Sequence, residues 1–176
     1  MKILFVCTGN TCRSVMAEAI LKDLLEEEGR GQDFEVSSAG LFAQEGEPPT
    51  IETQFALENG GIPLDENGAT YVDDQLLEEA DLILTMTEGH KIMIEDRKQA
   101  GYYRDKLFTL KEYTADCKES SENREEEDKD GENVEDTYDI LDISDPYGGS
   151  VEVYELSFQE IYEEIELLLE KILEKC

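Results

Sequence analysis

The opening segment of this chain constrains its fold more than any other. Lys2-Ile3-Leu4-Phe5-Val6 is apolar at every position after Lys2, stops at Gly9 and Asn10, and gives way to a helical pattern from Ser14. A run that is apolar on both faces of a strand is covered on both sides, the situation of a parallel sheet rather than of a half-exposed antiparallel one. Met16, Ala19, Ile20 and Leu24 then recur at spacings of three and four, and Gly29 and Gly31 close the helix.

The rest of the chain repeats the alternation. Phe34 to Ser38 reads as a second strand ending in a turn at Gly40. A helix capped by Thr50 runs to Asn59 and Gly60, with Ile51, Phe55 and Ala56 on one face. Asp74 to Ala80 is expected to be helical, Leu82 to Leu84 a third strand, and Thr87 or Glu88 the start of a further helix. Lys106 to Leu110 supplies a fourth strand. Val151 to Cys176 is a closing helix with Leu156, Ile161, Ile165, Leu168 and Ile172 toward the core. The expected fold is a single α/β domain, a three-layer sandwich with a central four-stranded parallel sheet and helices on both faces. Residues 116 to 139 stand apart: 12 of these 24 are Asp or Glu and the periodicity vanishes. They read as a solvated, mobile acidic insertion.

Charge narrows the function. With 45 acidic residues against 15 basic ones, the net charge is −30. Such a surface repels nucleic acid and anionic lipid, so neither is an expected partner, and any anion site has to be built locally. No secretory leader or membrane span is legible, which places the expected protein in the cytoplasm, as a monomer. The four cysteines at 7, 12, 117 and 176 have no metal-type spacing, and the single histidine, His90, is remote from them in sequence. Neither a metal nor another cofactor is expected. His90 itself reads as a surface or capping residue, and Cys117 and Cys176 as incidental.

The chemistry lies in Cys7-Thr8-Gly9-Asn10-Thr11-Cys12-Arg13-Ser14, between the first strand and the first helix. Ligands of open parallel sheets bind at the carboxyl ends of strands. Unpaired N–H groups at a helix start favour an anion there, whether a phosphate or the thiolate of Cys7. Gly9 and Asn10 tolerate the left-handed backbone that turns N–H groups inward as a nest. Arg13 can reach back over the loop and bind two phosphoryl oxygens with its planar fork. Ser14 can hydrogen-bond the sulfur and ease its departure. The glycine spacing is not that of a Walker nucleotide loop, and Cys7 and Cys12 are too far apart for a thioredoxin-like pair. A cysteinyl-phosphate mechanism at Cys7 also needs an acid to protonate the leaving group, and Asp145, in Asp145-Pro146-Tyr147-Gly148-Gly149-Ser150, is the best source.

The segment from Val6 to Ser14, together with Asp145 to Ser150, resembles the low-molecular-weight protein tyrosine phosphatase family, and within it the bacterial protein arginine phosphatases. The resemblance implies Cys7 as nucleophile, Arg13 as phosphoryl clamp and Asp145 as general acid. Thr8, Gly9, Asn10, Thr11, Cys12 and Ser14 would then hold the phosphoryl group, with Tyr147 at the pocket mouth. It further implies that Thr11, where tyrosine-specific members carry an aliphatic residue, favours phospho-arginine. Gly148 and the stretch from Tyr103 to Tyr113 point the same way. The substrates implied are phosphorylated proteins. The resemblance also implies that Cys12 can pair reversibly with Cys7. Val15 departs from the family, which usually has proline there, and the acidic stretch before Asp145 leaves the anchoring of the acid loop open. The alternatives are a tyrosine phosphatase of the same fold, an arsenate reductase, disfavoured by the lack of a cysteine near residues 80 to 90, and a phosphate-binding module without turnover.

Overall fold

The computed structural model describes residues 1–65, 67–98, 101–121 and 141–174, the stretch 116–121 as backbone only. Four parallel strands, β1 (Lys2–Cys7), β2 (Glu35–Gly40), β3 (Leu82–Thr85) and β4 (Leu107–Thr109), form one sheet in the order β2-β1-β3-β4. Among the described residues the α-helices are α1 (Arg13–Glu27), α2 (Ile51–Asn59), α3 (Asp74–Glu79), α4 (Glu88–Glu95), α5 (Leu110–Ser121) and α6 (Val151–Glu174).

The alternation of side chains along a strand explains the two layers that cover the sheet. Ile3, Phe5 and Cys7 of β1 face one core, shared with Met16, Ile20 and Leu24 of α1, Leu57 of α2 and Ile161, Ile165 and Leu168 of α6. Leu4 and Val6 face the other, with Leu77 of α3, Ile94 of α4 and Tyr103. The three-layer sandwich read from the sequence is the fold observed.

Several local expectations need correction. In α6 the buried stripe is Tyr154, Ser157, Ile161, Ile165, Leu168 and Ile172, at steps of three and four, while Leu156 is 71% exposed. Leu156 is five residues from Ile161, the wrong phase for that stripe. In α2 the inward face is Thr53, Ala56 and Leu57, with Ile51 and Phe55 outside. Thr53 can be buried because its hydroxyl donates to the Thr11 carbonyl at 3.0 Å. β2 begins at Glu35 and takes in Gly40 as its last residue, since Gly40 N–H bonds to Thr70 O and Leu41 N–H to Cys7 O. The acidic stretch starts as helix, α5 continuing to Ser121. Residues 122–139 of the expected insertion, and Cys176, lie outside the described residues.

α1 ends as its glycine forecast. Gly29 has φ +69°, its N–H bonds to Glu26 O, and Arg30 N–H bonds to Leu25 O, a Schellman closure.

β1 is central, with β2 on one side and β3 on the other. The connections leaving β1 and β3 therefore diverge over opposite faces and open a crevice at their carboxyl ends. Cys7 ends β1 in that crevice, and Met86 and Thr87 follow β3 beside it.

Candidate active site

The loop from Thr8 to Cys12 is held from beneath by β2. Cys7 pairs in register with Gly40, whose carbonyl and N–H are bonded to Val72 and Thr70. A Cβ on Gly40 would lie 2.8 Å from Asn10 N, 2.8 Å from Thr8 O and 2.9 Å from Gly9 C, all backbone. Only glycine lets the strand approach the loop this closely. The left-handed residue of the loop is Asn10, φ 56°; Gly9, expected to share that role, has no positive φ. Asparagine tolerates this conformation because its short polar side chain bonds locally. Here Asn10 Nδ2 donates to Ser14 Oγ at 2.9 Å and Ser38 Oγ at 2.8 Å, and its Oδ1 accepts from Thr70 N–H at 2.8 Å.

This network shapes the surroundings of the Cys7 sulfur. Asn10 N–H points at Sγ from 3.3 Å, and Ser14 Oγ lies 3.0 Å away. Cys7 is buried at the end of its strand, beside the start of α1. Backbone N–H groups at such a helix start, and a hydroxyl already bonded to the sulfur, favour negative charge at this spot. Cys7 and Cys12 are both free thiols. Cys12 packs away into the core, its sulfur 3.4 Å from the Tyr154 hydroxyl. Burial and that contact push the Tyr154 phenol up to about 12.

Arg13, 4% exposed, spans from α1 to the acid loop. Its Nη1 donates to Ile143 O at 3.0 Å and its Nη2 to Asp145 Oδ2 at 2.8 Å. The acid loop, whose anchoring the sequence left open, is tied at several further points. Ile143 N–H bonds to Met86 O at 2.7 Å, Asp142 Oδ1 accepts from Glu88 N–H at 2.7 Å, and Lys111 Nζ donates to Asp142 O at 2.9 Å. Asp142 thereby satisfies a free N–H at the start of α4 from another part of the chain. Tyr147 N–H returns to Asp145 Oδ1 at 3.1 Å, fixing the second carboxylate oxygen.

Between loop and acid lies a cavity of ≈ 440 Å³ lined by Thr8, Arg13, Thr87, His90, Asp142, Ile143, Ser144 and Asp145. Its lining is largely polar, includes two aspartates and contains no Phe, Tyr or Trp among the described residues. The Tyr147 side chain is 74% exposed and does not line this cavity. A larger cavity of ≈ 710 Å³ lies on the far side of Asn10, near Glu18, Lys22 and Asp65, and contains none of Cys7, Arg13 or Asp145. Its size therefore says nothing about the chemistry.

The structure adds His90, Gly40, Asp142 and Ser38 to the residues that the sequence singled out. His90 is no surface residue: it is 7% exposed and bonds Thr8 Oγ1 through Nε2 at 2.9 Å. Burial, then the neighbouring Arg13 charge, lower its pKa to about 4, against a smaller opposing effect of Asp145. The signal available in the sequence was a lone histidine three residues after a capping Thr87, just past the carboxyl end of a strand.

A free thiol at a strand end with a backbone N–H and a hydroxyl on its sulfur, and an arginine paired with a carboxylate across a polar cavity, fit a cysteine-dependent phosphatase. Comparison with known proteins agrees. Residues 2–176 match the family model described as low molecular weight phosphotyrosine protein phosphatase, and the chain belongs to that family. It is 39% identical to the protein-arginine-phosphatase of Bacillus subtilis strain 168, over 98% of this chain and 97% of that one. It is 36% identical to the low molecular weight protein-tyrosine-phosphatase PtpB of Staphylococcus epidermidis, over 93% of each. Among solved structures, a C7S mutant of the YwlE arginine phosphatase with a phosphorylated active site serine superposes with a TM-score of 0.76 at 37% identity, covering 98% of this chain and 95% of that one.

Proposed function

We propose that this chain hydrolyses phospho-arginine residues of proteins through a phosphorylated Cys7. The Cys7 thiolate attacks phosphorus, the S–P bond forms and the P–N bond to the guanidine breaks. Asp145 donates its proton to the departing nitrogen. Water then attacks the S–P phosphorus, Asp145 takes the water's proton, and the thiolate leaves with phosphate as product. Arg13 and the loop N–H groups hold the phosphoryl oxygens throughout, and Ser14 steadies the departing sulfur. The phosphorylated serine in the solved C7S relative supports the same covalent step at Cys7. A free thiol nucleophile suits a reducing compartment, and we place the protein in the cytoplasm.

The observation that carries arginine is the cavity lining. Asp142 and Asp145 set two carboxylates in its wall, complementary to a cationic guanidinium, and no Phe, Tyr or Trp among the described residues lines it to stack on a phenol ring. Thr11 agrees: among the described residues its hydroxyl has one hydrogen-bond partner, the Cys12 sulfur at 3.7 Å, a weak contact that leaves it able to hold a water or a guanidinium N–H. The second reading, a tyrosine phosphatase, is favoured by the likeness to PtpB. The test is kcat/KM on matched phospho-arginine and phosphotyrosine peptides, for wild type and Thr11→Ile. A preference for phospho-arginine that falls in Thr11→Ile supports the proposal; a wild-type preference for phosphotyrosine overturns it in favour of the second reading.

A further inference from the structure

His90 is the only histidine of the chain, and its two ring nitrogens are in unlike situations. Nε2 is 2.9 Å from Thr8 Oγ1, whereas Nδ1 is buried with no hydrogen-bond partner among the described residues. A proton on Nδ1 would be a buried donor with nothing to receive it, the costlier orphan. The proton therefore belongs on Nε2, and the imidazole donates to the Thr8 oxygen.

That assignment determines what Thr8 can do. A hydroxyl carries one hydrogen. With its oxygen accepting from His90, the Thr8 hydrogen is free to be given to something else. Thr8 directly follows Cys7 and lines the cavity that also holds Arg13 and Asp145. Its main chain is fixed, since Thr8 O accepts from Phe42 N–H at 2.8 Å. His90 is itself fixed: its N–H bonds to Thr87 Oγ1 at 3.2 Å, and α4 is joined to the acid loop through Asp142. An oxyanion in this cavity is the acceptor that such a hydroxyl would meet.

We propose that His90 is a positioning residue, whose neutral Nε2–H holds Thr8 so that the threonine hydroxyl donates to an oxygen of the phosphoryl group above Cys7. The ring has to stay neutral for this, because an imidazolium would set a second cation beside Arg13 and compete with it for Asp145. Its low affinity for protons, from burial and from Arg13, keeps it so at neutral pH. The inference rests on reading the Cys7 loop as a phosphoryl site, and it adds a donor that the backbone nest does not supply.

The experiment measures competitive inhibition by inorganic phosphate, and kcat/KM on a phospho-arginine peptide, for wild type, His90→Leu, Thr8→Val, the double variant and His90→Gln. Losing one hydrogen bond to a charged group should raise the phosphate Ki by roughly tenfold in either single variant. The double variant should be no worse than the singles, and His90→Gln, which retains an N–H near the same place, should recover most of the loss. Thermal melts separate this from unfolding, and Thr8→Val with His90→Gln decides the matter if His90→Leu does not fold. Effects that multiply in the double variant, no rescue by His90→Gln, or an unchanged phosphate Ki in Thr8→Val overturn the inference. Cys7→Ser is the control for the underlying reading: if it turns over substrate, the phosphoryl site at Cys7 is wrong and the role of His90 falls with it. If only the His90 and Thr8 variants are silent, the site stands and the positioning role does not.

Discussion

Arg13 Nη2 and Asp145 Oδ2 are 2.8 Å apart, so the residues proposed as phosphoryl clamp and general acid are bonded to each other across the mouth of the cavity. Nη1 is engaged separately, on the Ile143 carbonyl. A phosphoryl oxygen arriving at Arg13 competes with the Asp145 carboxylate for Nη2 while Nη1 keeps the acid loop in place. On the proposed mechanism, substrate binding turns Asp145 from a partner of Arg13 into a group available to the leaving group.

Asp145→Asn should separate binding from chemistry. Removing the competing carboxylate charge should leave the inhibition constant of inorganic phosphate unchanged or lower. Losing the acid should reduce kcat by ~10²–10⁴-fold. Steady-state kinetics with phosphate as inhibitor checks both, and a weakened phosphate affinity with an intact kcat would contradict the pairing described.

Gly40 should be as intolerant as a residue in the loop itself. In Gly40→Ala the added Cβ meets Thr8 O, Asn10 N and Gly9 C at 2.8–2.9 Å, and rigid backbone has nowhere to go. About 1–3 kcal/mol of stability should be lost, the usual cost of overpacking, together with most of the activity, as the loop is displaced under Cys7. Chemical denaturation and kcat/KM measure the two effects.

Asn10 combines a left-handed backbone with three side-chain hydrogen bonds, and two substitutions separate them. Asn10→Gly keeps the φ of 56° accessible and loses only the side chain; Asn10→Ala loses both. Asn10→Ala should therefore be less stable than Asn10→Gly by about 1–2 kcal/mol, the cost of the left-handed conformation. Both should lose activity, because Ser14 Oγ, which lies 3.0 Å from the Cys7 sulfur, loses the Asn10 Nδ2 donor that holds it.

The single histidine permits a clean pH test. His90 has its folded pKa lowered from 6.5 to about 4 by burial first and by Arg13 second. Below 6.5 the unfolded chain takes up a proton that the folded chain refuses, so the contribution to stability is fully present above 6.5 and is lost as pH falls toward 4. The total is on the order of 3 kcal/mol. NMR should show one imidazole that does not titrate between pH 8 and 5, and the pH dependence of stability in His90→Gln should be correspondingly shallower over 6.5 to 4. An imidazole titrating near 6.5 would show that His90 is solvated.

What the sequence disclosed was local, and what it hid was not. β1, the loop and α1 were legible because an apolar run, Gly9-Asn10 and a helical repeat follow one another within one stretch of chain. Thr50 as a cap was readable for the same reason, and its hydroxyl does accept from Thr53 N–H. α5 was missed because Lys111, Glu112 and the acidic residues after them offer no apolar stripe; its start is held by Glu112 Oε2 on Thr109 N–H. The phase of α6 was misjudged by trusting the purely apolar Leu156 over Tyr154, whose buried hydroxyl is satisfied by Cys12. In the site, residue types announced Cys7, Arg13 and Asp145. No periodicity could announce Gly40 under the loop or His90 beside Thr8, because those contacts join residues 30 or more positions apart.

The most direct test of the covalent mechanism is to trap its intermediate. Asp145→Ala protein mixed with a phospho-arginine peptide, quenched in the steady state and analysed by peptide mass spectrometry, should carry one phosphoryl group, on Cys7, and the Cys7→Ala double variant should carry none there. A wild-type enzyme that releases phosphate while its Cys7→Ala variant does the same, or a phosphoryl group mapped to another residue, would contradict Cys7 as the nucleophile.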